Sequence, residues 1–241
     1  MPKREVTLRD AWEAEAEKWV AWARAPGHDS YWQFHRDRFM ALVPAPPATL
    51  LDVGSGEGRL PRDLTAMGYP VVAVDGSPTL IRHAREIDPE GDYRVADAAQ
   101  LPFADASFDI VTAFMSLQDV DDLAGSTHEM ARVLAPGGHV CLAIVHPINS
   151  AGRFEDRSAG APFIIRGSYL EARRYADAVE RDGLQMTFSS YHRPLQEYVA
   201  ALESAGLLIE RMVEIADDTA PPGDRWQRIP LFLHLRAIKP E

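Results

Sequence analysis

Three acidic residues stand at the ends of short apolar runs that have the composition of buried strands. Asp52 follows Leu50-Leu51, Asp75 follows Val71-Val72-Ala73-Val74, and Asp97 follows Val95-Ala96. Directly after the first acid, the sequence Gly54-Ser55-Gly56-Glu57-Gly58 places glycines at alternate positions. Glycine allows a tight backbone turn and a close approach to a ligand, and a helix that follows such a turn offers free N–H groups. Carboxylates beside the turn accept hydrogen bonds from ammonium, hydroxyl and amino groups, so the pattern predicts a ligand site.

The spacing of the glycines distinguishes between two classes of ligand. A turn that binds a dinucleotide reads G-x-G-x-x-G and would place its third glycine at position 59. Here the third glycine is Gly58, and position 59 is Arg59. Asp52 would also meet a pyrophosphate unfavourably. A nicotinamide-dependent oxidoreductase is therefore the weaker alternative.

The D-x-G-x-G-x-G turn resembles the first motif of class I S-adenosylmethionine (SAM)-dependent methyltransferases, in particular the methyltransferase-11-like enzymes that act on small molecules. Four later segments are similar to further motifs of that family, in the same order. They are Val71–Asp75, Val95–Ala98 with Leu101-Pro102-Phe103, Ser107–Val111, and Arg132–Gly138. The match is strongest over residues 49–146 and weaker over 194–215.

The resemblance implies S-adenosyl-L-methionine as the methyl donor and S-adenosylhomocysteine as the product. It implies that Asp52 holds the ammonium group and that the N–H groups around Gly54–Gly58 receive the carboxylate. It further implies that Asp75 accepts hydrogen bonds from the ribose and Asp97 from the adenine amino group. The predicted cofactor-binding residues are Asp52, Gly54, Ser55, Gly56, Gly58, Asp75, Gly76, Ser77, Asp97, Ala98, Met115 and Ser116.

Three segments are candidates for the methyl-acceptor site, because each is expected over the same strand ends. They are the aromatic segment 28–35, His146 directly after the fifth strand, and the segment 191–194. Methyl transfer is an in-line displacement that needs a base only where the acceptor loses a proton. For the histidines and aromatic residues, packing within the fold is the alternative role. The predicted catalytic residues are His146, His192 and Tyr31, and the predicted substrate-binding residues are Trp32, His35, Tyr191 and Arg193.

The absence of several known motifs limits the class of molecule that can be the methyl acceptor. The segment 113–119 lacks the signature of adenine-N6 methyltransferases and a cysteine for pyrimidine chemistry, and the paired-glutamate loop of arginine methyltransferases is absent. Asp119, Asp121 and Asp122 raise the alternative of a metal, as in catechol O-methyltransferase-like enzymes. Acids at a helix start are favoured by the helix dipole, so we predict no metal.

The elements that position these residues follow from the hydrophobic pattern. From Thr49 onward, short apolar runs alternate with amphipathic helices, which is typical of a parallel α/β sheet. We predict a Rossmann-like, seven-stranded, mostly parallel sheet with helices on both faces. Strands are expected near 49–53, 71–75, 93–96, 108–114, 139–145, 207–215 and 231–238, and helices near 58–67, 78–86, 122–134 and 194–205.

Two segments lie outside this alternation. Residues 1–48 are predicted to form an N-terminal helical lid, with helices over 7–25 and 30–42. Residues 49–241 are predicted to form the SAM-binding domain, in which 148–192 is a substrate-cap insertion after strand 5. Within the insertion, Phe163–Ile165 and Met186–Phe188 are expected to pair as a small hairpin.

Composition limits the partners of the 241-residue chain. The net charge of -11 opposes binding to phosphate backbones, so we predict no nucleic-acid partner. The single cysteine, Cys141, excludes an intramolecular disulfide, and no apolar run approaches the ~20 residues of a membrane span. Met1–Glu5 leads into a charged segment, so we expect a cytoplasmic protein without a membrane partner. We expect a monomer or homodimer that methylates O, N or C of a small molecule; the alternative is a non-catalytic SAM-binding module.

Overall fold

Apolar runs and amphipathic helices alternate from Leu50 onward, and they fold into a layered α/β structure. The structure is a computed structural model that describes residues 6–241; Met1–Glu5, the first part of the predicted lid, lie outside the described residues. The strands are β1 Leu50–Val53, β2 Val71–Asp75, β3 Asp92–Val95, β4 Phe108–Phe114, β5 Leu134–Val145, β6 Gly152–Phe154, β7 Phe163–Ile165, β8 Arg173–Arg181, β9 Leu184–His192, β10 Leu208–Ile215 and β11 Phe232–Ile238. The α-helices are α1 Leu8–Arg24, α2 Arg36–Met40, α3 Arg59–Ala66, α4 Pro78–Ile87, α5 Leu123–Val133, α6 Pro147–Ala151 and α7 Leu195–Ser204.

Seven strands form one sheet in the order β10-β11-β5-β4-β1-β2-β3. The pairs among β1 to β5 are parallel, whereas β11 is antiparallel to both β5 and β10. Both faces of the sheet are buried. Consecutive residues of a strand point to opposite faces, so Leu51 and Val111 join one apolar cluster while Leu50 and Ile110 join the other. The predicted fold class is confirmed.

Helix boundaries agree with the predictions except between residues 30 and 42. There a π-helical turn, Tyr31–His35, precedes α2, and the N–H of Arg36 donates to the carbonyl of Tyr31. The wider turn accommodates one more residue than an α-helical turn. Tyr31, Phe34 and His35 are all buried in this arrangement.

The insertion 148–192 contains α6 and two separate hairpins. The predicted pairing of Phe163–Ile165 with Met186–Phe188 is wrong, because β7 pairs with β6 and β9 pairs with β8. Strand β8 is mostly polar and exposed, so it lacks the apolar alternation by which a strand is found. Strand β5 begins at Leu134, five residues before the predicted start at 139, and Pro136-Gly137-Gly138 lies inside it as an irregularity of its pairing with β4.

Helix α1 lies against β9, and we call this pair of elements the roof. The indole N–H of Trp12 donates to the carbonyl of Ser189 at 3.0 Å, and the N–H of Thr187 donates to Glu15 at 3.0 Å. Glu13 accepts a hydrogen bond from the hydroxyl of Thr79 at 2.7 Å, which attaches α1 to α4. Within residues 6–241, no helix combines the length and apolar character that crossing a membrane requires.

Candidate active site

A cavity of about 770 Å³ lies between the roof and the carboxyl ends of the central strands. Val53, Asp75, Phe114 and Val145 line it at the ends of β1, β2, β4 and β5. Its volume lies within the roughly 300–1,000 Å³ typical of pockets for small ligands. This is also the edge at which open α/β sheets bind their ligands.

The glycine turn lines the cavity between β1 and α3. Gly54, Gly56 and Gly58 have φ values of +78°, +59° and +84°, which only glycine adopts without strain. A Cβ on Gly54 would lie 2.3 Å from the Cβ of Ser116, and one on Gly58 would lie 2.8 Å from the ring of Tyr93. The turn therefore requires glycine both for its conformation and for its close packing.

Several N–H groups of the turn are already used within the fold. Gly54 and Ser55 both donate to the carbonyl of Val74, at 2.8 and 3.0 Å, and Gly56 donates to Oδ2 of Asp75 at 2.8 Å. These bonds hold the turn against β2. These three N–H groups are therefore engaged within the fold, and a carboxylate in the cavity would use other donors.

Arg59, at the start of α3, supplies such a donor. Its Nη2 lies 2.9 Å from a carboxylate oxygen of Asp29, and its guanidinium stacks 5.1 Å above the ring of Tyr31. Its Nη1 is buried and has no hydrogen-bond partner. A buried donor without a partner is unfavourable, so a ligand carboxylate would stabilise this side chain. The predicted cofactor set did not include Arg59, because its orientation depends on residues distant in sequence.

Asp52 provides the opposite charge. Its side chain is almost fully buried, and its Oδ1 accepts a hydrogen bond from the hydroxyl of Thr112 at 2.6 Å. Its Oδ2 is buried without a partner. Burial raises the pKa of this carboxyl group to about 7, against the lowering effect of the Thr112 hydrogen bond. A ligand ammonium group would satisfy the free oxygen and favour the ionised form.

Asp75 and Asp97 extend the acidic wall along β2 and β3. Both oxygens of Asp75 accept backbone hydrogen bonds at 2.8 Å, from Gly56 and Ser77, and each keeps a lone pair for a ligand hydroxyl. Burial raises the pKa of Asp75 in spite of these bonds. Asp97 is more exposed and accepts from the N–H of Ala99 at 2.9 Å.

Eleven of the twelve predicted cofactor residues line the cavity. The exception, Gly58, faces Tyr93 and Ala84 on the side away from the cavity. Met115 adopts a positive φ of 53° after β4, and the hydroxyl of Ser116 donates to the carbonyl of Val53 at 2.7 Å. The fold thus brings almost all of the predicted cofactor-binding residues to one cavity.

The predicted residues of segment 28–35 have different surroundings. Tyr31 lines the cavity, but its hydroxyl donates to Asp63 at 2.8 Å, and burial raises its pKa. Trp32 is 65% exposed and does not line the cavity. His35 is buried behind the cavity, with its Nδ1 2.9 Å from Nε2 of His234.

His146 lies outside the cavity lining and caps α6. Its Nδ1 accepts from the N–H of Ile148 at 3.1 Å, and its Nε2 lies 3.0 Å from Glu214 on β10. Burial lowers its pKa, against the opposing effect of Glu214. His146 therefore contacts α6 and β10 and is not part of the cavity lining.

The residues of segment 191–193 lie behind the cavity. The guanidinium of Arg193 stacks 4.4 Å above the ring of Tyr191 and donates to the carbonyls of Leu117 and Val120, at 3.2 and 2.6 Å. These bonds support the loop after β4. The fully buried His192 reaches the cavity only through Ser150, whose hydroxyl oxygen lies 2.8 Å from its Nδ1.

The three acids after β4 have separate functions. Oδ1 of Asp122 accepts from the N–H of Gly125 and caps α5, whereas Asp121 accepts from the N–H of Leu8 at 2.9 Å. Asp119 lines the cavity, where burial raises its pKa to about 8. In the described part of the chain, no three His, Cys, Asp or Glu side chains are grouped so that they could hold a metal ion.

The remaining cavity wall comes from residues that sequence reasoning did not select. They belong mainly to α1 and the β8–β9 hairpin, of which β8 lacked a strand signal. The tryptophans of α1 recur at helical spacing, and this pattern could have predicted that they lie on one buried face of the helix. Aromatic and polar residues of this wall include Trp12, Trp19, Trp22, Asn149, Ser150, Arg173, Tyr175, Asp177, Phe188 and Ser190.

Comparisons with known proteins agree with this geometry. A family model described as a methyltransferase domain matches residues 51–142. The chain is 37% identical to the demethylmenaquinone methyltransferase of Clavibacter sepedonicus over 178 residues, which are 69% of this chain and 71% of that protein. It is 35% identical to the demethylmenaquinone methyltransferase of Beutenbergia cavernae over 117 residues, 48% of each chain, so the match spans about half the length of that relative. An S-adenosylmethionine-dependent methyltransferase from Mesorhizobium loti shares the fold, with a TM-score of 0.70, 23% identity and coverage of 87% of this chain and 97% of that one. The chain belongs to the class I S-adenosylmethionine-dependent methyltransferase family.

Proposed function

We propose that this protein transfers the methyl group of SAM to a small-molecule acceptor in the cavity beneath the roof. One observation carries the proposal. The cavity wall contains a buried carboxylate oxygen of Asp52 and a buried guanidinium nitrogen of Arg59, and both lack a partner. Together they match the ammonium and carboxylate groups of an amino-acid moiety, which SAM carries next to its sulfonium.

The other polar groups of the wall fit the remainder of the cofactor. Asp75 would hold the ribose hydroxyls, and Asp97 with Ala98 would contact the adenine edge. When bound, SAM supplies an electrophilic methyl group on a sulfonium. The backbone turn after β4, at Met115 and Ser116, would lie beside the methionine part of the cofactor.

The protein's own contribution is to position the acceptor and to exclude water. Phe188 contacts all three tryptophans of α1, with ring centroids 6.0 to 6.3 Å apart, so an aromatic cluster of the roof covers part of the cavity. Phe114, Val145 and Phe232 give the far end an apolar surface. Such walls favour a planar, largely apolar acceptor, and the names of the demethylmenaquinone methyltransferase relatives support this class.

Isothermal titration calorimetry with SAM and S-adenosylhomocysteine tests the proposal. The Arg59→Gln variant should bind S-adenosylhomocysteine about 10- to 100-fold more weakly, because a charge-assisted hydrogen bond contributes about 1.5–3 kcal/mol. Arg62→Gln is the matched control: Arg59 and Arg62 both contact Glu57, at 3.7 and 2.9 Å, but Arg62 does not line the cavity. Absence of binding at millimolar concentrations of both ligands would refute the proposal.

Catalysis is tested by S-adenosylhomocysteine release with reduced demethylmenaquinone and simple phenols as acceptors. Binding without turnover in this panel would favour a SAM-binding module instead. The lid and cap functions of 1–48 and 148–192 belong to the same proposal. A cytoplasmic location, a monomeric or homodimeric state and the absence of a nucleic-acid partner stay predictions from the sequence.

A further inference from the structure

A serine–histidine pair lies in the wall of the cavity, on the insertion side. Ser150, on α6, lines the cavity, and His192, at the end of β9, lies fully buried behind it. The hydroxyl oxygen of Ser150 is 2.8 Å from Nδ1 of His192. On the other side of the ring, Nε2 lies 2.9 Å from the carbonyl oxygen of Tyr169.

These contacts define which ring nitrogen carries the proton. A carbonyl oxygen only accepts, so Nε2 of His192 must donate to Tyr169. In the neutral ring, Nδ1 is then an acceptor, and the Ser150 hydroxyl donates to it. The oxygen of Ser150 keeps its lone pairs free for a hydroxyl group in the cavity.

The same contacts also satisfy the protonated ring. If Nδ1 gains a proton, it donates to the oxygen of Ser150. The serine hydroxyl can then turn to the carbonyl of Pro147, which lies 3.2 Å away. Every polar atom of the pair therefore has a partner in both protonation states.

We propose that Ser150 and His192 form a proton relay that deprotonates a hydroxyl group of the methyl acceptor, so that the acceptor is a phenol or an enol. This inference rests on the proposed function and names its substrate class. The acceptor O–H donates its proton to Ser150, and Ser150 passes its own proton to Nδ1 of His192. The acceptor oxygen, or the conjugated carbon, forms the new bond to the methyl group, while the electron pair of the broken S–CH₃ bond stays on sulfur.

Arg173 provides the charge that an oxyanion requires beside Ser150. Its Nη2 lies 3.5 and 3.3 Å from the carbonyls of Ser150 and Ala151, and its side chain lines the cavity. Within the described residues, no carboxylate lies within 4.0 Å of its guanidinium. A cation without an acidic partner can stabilise an anionic ligand that lies beside it.

The surroundings keep His192 unprotonated at neutral pH. Burial lowers its pKa and Arg173 lowers it further, whereas the carbonyl of Tyr169 and the carboxylate of Glu197 act in the opposite direction. The ring is therefore available as a proton acceptor. Asp119 is another buried carboxyl group of the cavity, but its pKa is raised to about 8, so it is mostly protonated at neutral pH.

A chromophoric phenol tests the relay without any methyl transfer. 4-Nitrophenol absorbs visible light only as the phenolate. It is titrated into the protein saturated with S-adenosylhomocysteine, at a pH one unit below the pKa of the free probe. We expect the phenolate spectrum on binding, since a nearby cation lowers a phenol pKa by about 1–3 units. Calorimetry in two buffers of different ionisation enthalpy should show no net proton release, because His192 keeps the proton.

The variants separate the relay from simple charge attraction. The Ser150→Ala and His192→Gln variants should either lose the phenolate spectrum or release one proton to the buffer for each probe bound. The Ser150→Thr variant keeps the hydroxyl group and should restore the wild-type result. 4-Nitroanisole, which has no acidic proton, should bind equally to wild type and Ser150→Ala. A wild-type protein that fails to ionise the probe, or that releases the proton to buffer, would overturn the relay. Normal S-adenosylhomocysteine binding in the same samples would leave the proposed function intact.

Discussion

Asp52→Asn should stabilise the ligand-free protein while it weakens cofactor binding. The pKa of Asp52 rises from 3.8 to about 7 on folding because the carboxyl group is buried. The folded state thus holds the proton more tightly, and the stability from this group is present below pH 3.8 and lost as the pH rises through 7. At pH 8 the difference of about 3 pKa units corresponds to about 4 kcal/mol at about 1.4 kcal/mol per unit.

Asparagine removes this charge and keeps the hydrogen bond from Thr112. Its amide nitrogen would replace the unpartnered Oδ2 and would itself lack a partner, which costs about 1–3 kcal/mol. The net gain at pH 8 is therefore about 1–3 kcal/mol, or about 2–12 °C in Tm at about 2–4 °C per kcal/mol. At pH 5, wild-type Asp52 is protonated in the folded state, and the gain should fall close to zero.

Scanning calorimetry of the ligand-free protein at pH 5 and pH 8 measures this difference. Titration with S-adenosylhomocysteine at pH 8 should show binding at least about 10-fold weaker, because the ammonium group loses its charged partner. Asp97→Asn is the control, since that carboxylate is exposed and its replacement should change Tm by no more than about 2 °C. An equal Tm change at both pH values, or unchanged affinity, would refute the assignment of Asp52 to the ammonium.

Three further predictions concern the turn, the buried histidines and the roof. Gly54→Ala should lower the free energy of unfolding in urea by about 3 kcal/mol or more, because the new Cβ would lie 2.3 Å from Ser116 at a φ of +78°. Gly137→Ala has a similar φ of +75° but open space, so about 1–2 kcal/mol is expected, and equal losses would contradict the packing argument. Burial lowers the pKa of His234 to about 4, so the unfolded chain binds the proton first and stability should fall by about 2 kcal/mol from pH 7 to pH 5. The His234→Gln variant should show a smaller loss in urea unfolding at these two pH values; an unchanged slope would argue against His234 as its source. Phe188→Ala removes the contact shared by the three tryptophans, so binding of S-adenosylhomocysteine should weaken and proteolysis within α1 should accelerate, and protection equal to wild type would count against the roof.

The central sheet was predictable because its signals are local. Apolar runs such as Val71–Asp75, and turns that need glycine, depend on residues adjacent in sequence. The cofactor side of the cavity follows directly, since parallel strands bring their carboxyl ends to one edge. Asp52 and Asp75 could therefore be placed side by side before any coordinates were known.

The acceptor side depends on contacts between distant segments. His146 precedes a proline and His192 precedes an arginine, and both lie at the end of a predicted strand or segment, so the sequence does not distinguish them. In the structure, His146 caps α6, whereas His192 contacts the hydroxyl of Ser150. The Ser150–His192 contact spans 42 residues and requires the β8–β9 hairpin. Because β8 is mostly exposed, its residues carry no burial pattern, and only the folded arrangement shows which of them face the cavity.

The roof joins segments that a ribosome produces far apart in time. Trp12 on α1 donates to Ser189 on β9, 177 residues later in the chain. At about 5–20 residues per second, the helix waits roughly 10–35 s for its partner strand. During this interval its tryptophans lack Phe188, their aromatic partner on β9, so their apolar surface stays more exposed than in the folded protein. The cavity wall therefore combines an early segment of the chain, α1, with a late one, β9. The roof can form only after β9, the last strand of the insertion, has been synthesised.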